Sequence, residues 1–335
     1  MLRKSLCGVL VTIIVAVLAA STAEVAGTDV TLSLGQPPAS QHGEKWKNRP
    51  SCLVSNQRTG LRSSSLQAGI DAAASGDTLV VRGTCVGSST VAKDLSLRGK
   101  SNRAFGVATL DGDHLGSVLS VAGGVTVAIS KLTVTNGTTG VEGGGIANRD
   151  ASTVILSHST VAGNTAQDGG GISNSGNSTF IVQKSAIKGN AAGTGGGGIF
   201  SENGSTLTLY NSIVSGNVAQ STGGGIFSFN GGGGVVTLTN SEVSGNSSEF
   251  GGGIAFIFGT VSLNDSTVTG NSASLNGGGV FDTEGTFSLI GSSTVTANAA
   301  RQNGGGIFIS SFGGTLINCI SGVNVTANSP NDIFP

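Results

Sequence analysis

Asp282 and Glu284 are the residues whose types and spacing best suit catalysis, because only one residue separates these two carboxylic acids in the chain. Enzymes that hydrolyse glycosidic bonds use two carboxyl groups about 5–9.5 Å apart, one as an acid and the other as a base or nucleophile. No partner base lies in the same predicted strand. Isolated solvated charges are therefore the favoured interpretation, and Asp282 and Glu284 are weak catalytic candidates.

His158 and Lys184 form a second candidate pair, which could transfer a proton between an imidazole and an amine. Each precedes a serine at the same point of a repeating unit, so the two would be neighbours if successive units stack. The same position holds Asn211, Asn240 and Asp265 in later units, and such polar residues are typical of turns. We favour an exposed turn over a catalytic role for this pair.

A repeat of 26–28 residues must position these side chains, and its marker is Gly-Gly-Gly followed by Ile or Val. The last residue of the marker recurs at Ile146, Ile172, Ile199, Ile226, Ile254, Val280 and Ile307. Each unit continues with an alternating apolar stretch and closes with a Ser-x-Val/Ile-x-Gly/Ala-Asn run. Such regular self-similarity indicates a stacked repeat protein.

The period predicts an all-β fold, a right-handed parallel β-helix (a solenoid) of about ten coils with an N-terminal helical cap. Each unit has three short segments of β character separated by Gly- or Asn-rich breaks. One turn of a three-sided coil needs about this many residues, and successive turns stack ~4.8 Å apart, whereas a propeller blade needs ~40 residues. We predict irregular coils over residues 78–142 and regular repeats over residues 143–335.

The asparagine that closes each unit is predicted to have a structural role. Asparagine tolerates the left-handed backbone conformation at a tight corner, and its amide can bond the equivalent amide one coil away. The predicted ladder consists of Asn164, Asn190, Asn217, Asn246, Asn271 and Asn298.

The first 62 residues are predicted to precede the β-helix. Residues 1–23 have the basic start, apolar stretch and small-residue cleavage site of a signal peptide, and residues 24–62 read as a flexible linker. The β-helix domain is predicted over 63–335. It begins with serines and then apolar residues at helical spacing, which predict a short helix that covers the first coil.

Three cysteines remain after removal of a signal peptide. Cys52 and Cys85 could form one disulfide in an oxidising compartment, and two free thiols are the alternative. Cys319 is predicted to be an inert thiol in the core.

At these motifs the chain resembles bacterial secreted β-helix proteins of the pectin-lyase-like fold, in particular those with polymorphic-outer-membrane-protein-type repeats. The hallmarks of that repeat are Gly-Gly-x-Ile and a later motif that ends in Asn, and they stand here at residues 196–199 and 214–217. Residues 66–79 also resemble the first helix and strand of such proteins. The repeat usually has Phe three residues before the final Asn, whereas this chain has Val or Ile. The resemblance implies a fold, and implies little about activity because the repeat is structural.

Charge limits the classes of function. Residues 1–142 hold 13 Lys/Arg and 9 Asp/Glu, whereas residues 143–335 hold 4 and 9. Because the sequence shows no basic stripe, nucleic-acid binding is not expected. No cofactor and no metal site are expected either.

The predicted function is a secreted or cell-envelope β-helix protein with a structural or adhesive role, which contacts a polysaccharide or a cell-surface protein without catalysis. The alternative is a polysaccharide lyase or glycoside hydrolase, because several proteins of the pectin-lyase-like fold cleave acidic polysaccharides with clustered acidic residues. Such a cluster is not evident, since Glu202 and Asp282 are about 14 Å apart at ~4.8 Å per coil. The phenylalanines Phe200, Phe227, Phe281 and Phe308 share one outward column, which predicts either a stacking ladder or a contact surface.

Overall fold

The computed structural model describes residues 52–231 and 233–335, and in this part the chain winds into a right-handed parallel β-helix. The predicted fold class is confirmed. The predicted signal peptide and the linker residues 24–51 lie outside the described residues.

Four sheets, which we number 1 to 4, run along the axis of the β-helix. The chain of a regular coil passes through sheet 1, then sheet 2, then the short sheet 4, and finally sheet 3. Sheet 1 contains, in spatial order, β2 (Arg62–Ser63), β1 (Leu53–Asn56), β3 (Asp77–Arg82), β6 (Leu95–Gly99), β9 (Thr126–Ser130), β12 (Thr153–Ser157), β16 (Thr179–Gln183), β20 (Thr206–Tyr210), β24 (Val235–Thr239), β28 (Thr260–Asn264), β32 (Thr286–Ile290) and β36 (Thr315–Ile317). Sheet 2 contains β4 (Thr84–Val86), β7 (Thr109–Asp111), β10 (Thr133–Thr135), β13 (Thr160–Ala162), β17 (Ala186–Lys188), β21 (Ile213–Ser215), β25 (Glu242–Ser244), β29 (Thr267–Thr269), β33 (Thr294–Thr296) and β37 (Val325–Thr326).

Sheet 3 contains β5 (Ser89–Val91), β8 (Leu119–Val121), β11 (Ile146–Asn148), β15 (Ile172–Asn174), β19 (Ile199–Glu202), β23 (Ile226–Phe229), β27 (Ile254–Ile257), β31 (Val280–Thr283), β35 (Ile307–Ile309) and β38 (Ile333–Phe334). Sheet 4 is short and contains β14 (Thr165–Ala166), β18 (Ala191–Ala192), β22 (Val218–Ala219), β26 (Ser247–Phe250), β30 (Ser272–Asn276) and β34 (Ala299–Ala300).

The core fills because strand alternation sends every second side chain into the coil. In sheet 1 the parallel register places Leu207 beside Val236, and Val236 beside Val261. These side chains are at most 1% exposed. Full burial of such a side chain stabilises the fold by about 1.5–3 kcal/mol. A one-residue slip would turn the whole column outward, so the apolar pattern fixes the register.

The asparagines of the repeat form a buried ladder. In each coil the side-chain Oδ1 accepts two hydrogen bonds from the asparagine one coil earlier, as Asn217 Oδ1 does from the backbone and side-chain nitrogens of Asn190 at 3.0 Å. The prediction that these asparagines adopt the left-handed backbone conformation is wrong. That conformation belongs instead to the preceding residue, such as Gly216 with φ 62°, because the asparagine must extend inward to reach its neighbours.

A serine ladder runs parallel to the asparagine ladder and was not predicted. The hydroxyl of Ser212 accepts the backbone N–H of Ser185 at 3.2 Å and donates to the carbonyl of Tyr210 at 2.8 Å. Cys319 holds the equivalent geometry at the last coil, where its Sγ lies 3.5 Å from the carbonyl of Ile317. Cys319 is therefore half-buried in line with the serine column and packs against the edge of the apolar core, and burial raises its pKa to about 11.

The middle glycine of each triplet allows two coils to approach each other. A Cβ added at Gly197 would overlap the carbonyl oxygen of Val218, which no side chain could accommodate. The triplet is therefore required by packing between coils as well as by the turn.

The N-terminal end of the β-helix is closed by α1 (Leu66–Asp71) and by β1 and β2, which pair antiparallel. Ser65 caps α1 by accepting the backbone N–H of Ala68 at 3.2 Å, and Leu66 and Ile70 cover the first coil. The predicted linker to residue 62 is thus too long at its C-terminal end, because Val54 of β1 is buried in the core. A disulfide joins Cys52 to Cys85 across this cap.

The phenylalanine column of sheet 3 is a set of partly covered, stacked rings. The ring centroids of Phe281 and Phe308 are 5.3 Å apart with an interplanar angle of 2°, and those of Phe308 and Phe334 are 5.5 Å apart. Phe200 is only 6% exposed. The stacking-ladder interpretation therefore fits this column.

Candidate functional site

Asp282 lies in β31 and points into the coil. It is 0% exposed and pairs in register with Phe256, itself a core residue. Its Oδ1 accepts the backbone N–H of Gly285 at 2.9 Å, while Oδ2 has no hydrogen-bond partner among the described residues. Burial raises the pKa of Asp282 to about 6. The interpretation of Asp282 as a solvated charge is wrong.

Glu284 is exposed in the turn that follows β31, with a left-handed φ of 61°. Asp282 faces the interior while Glu284 faces solvent, so they do not present two carboxyl groups to one substrate. The structure does not bring this candidate pair together as a catalytic site.

His158 and Lys184 are exposed in left-handed turns, with φ values of 49° and 48°. The backbone N–H of His158 donates to the carbonyl of Gln183 at 3.0 Å, and that of Lys184 donates to the carbonyl of Tyr210 at 2.9 Å. Both residues are therefore at the exposed turn edge that the sequence favoured, between sheet 1 and sheet 2.

A group of carboxylates that sequence reasoning missed lies beside sheet 3, formed by Glu142, Asp168 and Glu202. We call it the carboxylate group. Burial, and then the negative charges of Glu142 and Asp168, raise the pKa of Glu202 to about 7. Burial also raises the pKa of Asp168, whose Oδ1 accepts the backbone N–H of Gly195 at 2.9 Å.

The carboxylate group comes from three successive coils. Glu142 and Asp168 each precede a glycine triplet, and their backbones pair in an isolated parallel β-bridge. Glu202 instead follows its triplet, at the end of β19. The hydroxyl of Ser173 donates to Glu142 Oε2 at 2.9 Å. The available signal was an acid directly before the glycine triplet in two consecutive repeats, Glu142 and Asp168, followed by Glu202 four residues after the next triplet.

A groove of about 650 Å³ lies on the outer side of sheet 1 near its N-terminal end. We call it the basic groove, and its lining residues are Ser55, Gln57, Val80, Arg82, Arg98, Gly99, Lys100, Ser101 and Lys131. Arg82 ends β3, Arg98 is in β6, and Lys131 follows β9, so the cations come from three successive coils.

Close packing of these coils depends on Gly99, because an added Cβ there would overlap the carbonyl oxygen of Lys131. Lys131 itself adopts a left-handed φ of 56°, which turns the chain away at the edge of the groove. The Arg82 guanidinium donates to Ser55 Oγ at 3.0 Å, which orients it along the groove floor. The expectation that no basic stripe exists is therefore corrected, since the fold assembles one.

Beyond the basic groove, the outer side of sheet 1 carries no charged residue in any strand from β9 to β36. We call this surface the neutral face. Its outward columns are rich in hydroxyl groups, as in the pairs Thr179–Thr206 and Thr208–Thr237. Tyr210 is its exposed aromatic residue, at 40% exposure.

In the described part of the chain, no group of three or more His, Cys, Asp or Glu side chains could hold a metal ion. Over the same residues, no helix is long and apolar enough to cross a membrane.

Comparison with known proteins agrees with this architecture. A family model described as a right handed beta helix region matches residues 100–262. Curated proteins and solved structures give no match. The chain is a parallel β-helix protein, and its class is defined by the fold alone.

Proposed function

We propose that the chain is a secreted or cell-envelope β-helix protein that binds polysaccharide along the outer side of sheet 1 and does not cleave it. The observation that carries this proposal is the neutral face, an outer surface without charged residues in its eight strands from β9 to β36. The predicted signal peptide supports the location outside the cytoplasm.

The chemistry of the neutral face suits an extended neutral sugar chain. Hydroxyl groups recur in register at ~4.8 Å along the axis, and they can donate to and accept from sugar hydroxyls. Ile155 and Ile181 pair in register in the same outward column as Thr208, and with Tyr210 they supply apolar area for the faces of sugar rings. The surface carries no charge that a neutral ligand would leave desolvated and unpaired.

Retention on insoluble polysaccharides tests the proposal. The full chain is incubated with cellulose, chitin and xylan, and the bound fraction is compared with that of Thr208→Lys/Thr237→Lys. These substitutions place two charges in adjacent coils of the neutral face. The matched control is Thr269→Lys/Thr296→Lys, in adjacent coils on the outer side of sheet 2.

We expect at least one polysaccharide to retain the protein and its control. The neutral-face variant should bind at least tenfold more weakly, because burial of even one unpaired charge against the ligand costs more than about 1.4 kcal/mol. Equal retention of both variants contradicts the assignment of the neutral face. Retention by none of the polysaccharides contradicts the proposed function.

Glycoside hydrolysis at the carboxylate group is a second candidate, and the raised pKa of Glu202 favours it. A carboxyl group with a pKa of about 7 is partly protonated at neutral pH and can act as a general acid. Either Asp168 or Glu142 would supply the second carboxylate, which acts as the base or the nucleophile. Products shortened by the native chain and absent with Glu202→Gln, detected by mass spectrometry, would establish hydrolysis over simple binding.

A further inference from the structure

A column of threonines runs along the neutral face. It occupies the first residue of each strand from β9 to β36 in sheet 1, and the parallel register places each member beside the next. We call it the threonine column, and its members are Thr126, Thr153, Thr179, Thr206, Thr260, Thr286 and Thr315. Val235 fills the one remaining place, and valine has nearly the shape of threonine. None of these side chains is buried.

The hydroxyl groups of the threonine column are available to water. Thr126, Thr179 and Thr206 enter hydrogen bonds through backbone atoms, and no hydroxyl of the column has a partner among the described residues. On the outer side of sheet 2, by contrast, the hydroxyl of Thr294 donates to that of Thr267 at 3.4 Å. The threonine column is therefore an array of unused donors and acceptors, each with a methyl group beside it.

A second hydroxyl column runs beside the first over four coils. Thr208, Thr237, Ser262 and Ser288 pair in register in β20, β24, β28 and β32, and within this column Ser288 donates to Ser262 at 2.9 Å. Hydroxyls therefore repeat at ~4.8 Å along the axis and at ~6.7 Å across it, since residues on one side of a strand are two apart. The array is rigid, because χ1 of threonine is restricted and the packed core holds the backbone.

The two repeats of this array are close to those of the oxygen atoms on a prism face of ice. Water molecules that the hydroxyls hold therefore lie where a growing crystal would place them. Each contact with water is weak, but a face of eight strands, ~34 Å long at the coil rise, makes many contacts at once. The methyl groups leave liquid water when the crystal adsorbs, which adds a favourable hydrophobic contribution.

The absence of charge on the neutral face also suits ice. The ice lattice excludes ions, so a charged side chain on this face would lose its hydration without gaining a partner. A sugar chain can adjust its hydroxyl groups to an irregular surface, whereas a crystal needs a regular one. The threonine column supplies that regularity, because seven of its eight places hold threonine and the eighth holds valine.

We propose that the neutral face binds ice, with the threonine column and the second hydroxyl column against the crystal surface. The inference goes beyond the proposed function, because the ligand is crystalline water rather than a sugar chain. The two ligands share one face and compete for it.

Thermal hysteresis of the full chain, which is the gap between the melting and freezing temperatures of a seeded ice crystal, tests this inference. The array variant is Thr179→Tyr/Thr206→Tyr, in adjacent coils, because two phenol rings interrupt the repeat while the face stays uncharged and able to stack on sugars. The matched control is Thr133→Tyr/Thr160→Tyr, in adjacent coils on the outer side of sheet 2. Val235→Thr completes the threonine column with little change of shape, and circular dichroism verifies that each variant is folded.

We expect hysteresis from the native chain and the control, its loss in the array variant, and a wider gap for Val235→Thr. No hysteresis from the folded native chain, equal hysteresis of the array variant, equal loss in the control, or a gap for Val235→Thr no wider than the native one would each overturn the inference. Retention on cellulose, chitin and xylan is measured on the same proteins, and the array variant should keep it. Failure of ice binding is thereby distinguishable from failure of the proposed function.

Discussion

The side-chain amide of Asn217 donates to Oδ1 of Asn246 at 2.9 Å, and the same oxygen accepts the backbone N–H of Asn217 at 2.9 Å. The amide of Asn217 also donates to the carbonyl of Ile187 at 3.0 Å. One side chain thus ties three successive coils together inside the β-helix, where water cannot replace any of these partners.

Replacing Asn217 with Ala should lower the free energy of unfolding by about 1–3 kcal/mol, because it leaves buried donors and acceptors in both adjacent coils without partners. Chemical denaturation monitored by circular dichroism measures the change. Asn264→Ala, on the outer side of sheet 1, is the control and should have little effect. An unchanged midpoint for Asn217→Ala would contradict the structural role of the ladder.

Replacing Ala297 with Gly should stabilise the protein. The residue before the ladder asparagine has a left-handed backbone, and glycine fills this position with φ of 60–67° at Gly163, Gly189, Gly216, Gly245 and Gly270. Ala297 has φ 55° at the equivalent point, which costs an L-residue about 1–2 kcal/mol.

Part of that gain is lost because glycine has more freedom in the unfolded chain, so we expect about 0.5–1 kcal/mol from Ala297→Gly. The reciprocal change Gly270→Ala should destabilise by a similar amount. Thermal unfolding of both variants measures the effect, and a lower melting temperature for Ala297→Gly would contradict it.

The coils of residues 143–335 could be predicted from the sequence because they carry a periodic marker. The glycine triplet and the closing asparagine recur because every coil needs the same close approach and the same buried amide. Asp282 was nonetheless misplaced, although counting by twos from Val280 places it inward. The sequence favoured a surface charge because a carboxylate in the core is costly, and the fold tolerates that cost here.

The basic groove could not be predicted in the same way. Arg82, Arg98 and Lys131 all precede the first glycine triplet and the first closing asparagine, so no periodic marker aligns them in the sequence. Their convergence depends on the parallel pairing of β3, β6 and β9, which is a property of the folded chain.

Removal of the disulfide should destabilise the N-terminal end. Cys52 and Cys85 are 33 residues apart, and opening a loop of this length costs about 3–4 kcal/mol in the chain-entropy model. Unfolding of Cys52→Ala/Cys85→Ala is compared with that of Cys319→Ser, which keeps the disulfide and should change stability little. Equal stability of the double variant and the native chain would contradict a structural role for this bond.

The buried Asp282 should make stability depend on pH in the direction opposite to that of an ordinary paired carboxylate. Its folded pKa of about 6 lies above the ordinary value of 3.8, so the folded state binds the proton more tightly than the unfolded state. The contribution of Asp282 to stability is therefore fully present below about pH 4 and is lost as pH rises through 6.

Asp282→Asn removes the charge and should stabilise the protein by about 1–2 kcal/mol at pH 7, with a smaller effect at pH 4. Glu284→Gln, exposed in the neighbouring turn, is the matched control and should not alter the pH dependence. Denaturant unfolding at both pH values measures the difference. If Asp282→Asn is less stable than the native chain at pH 7, the ionised carboxylate must have a partner, and Asp282 would regain its place among the candidate functional residues.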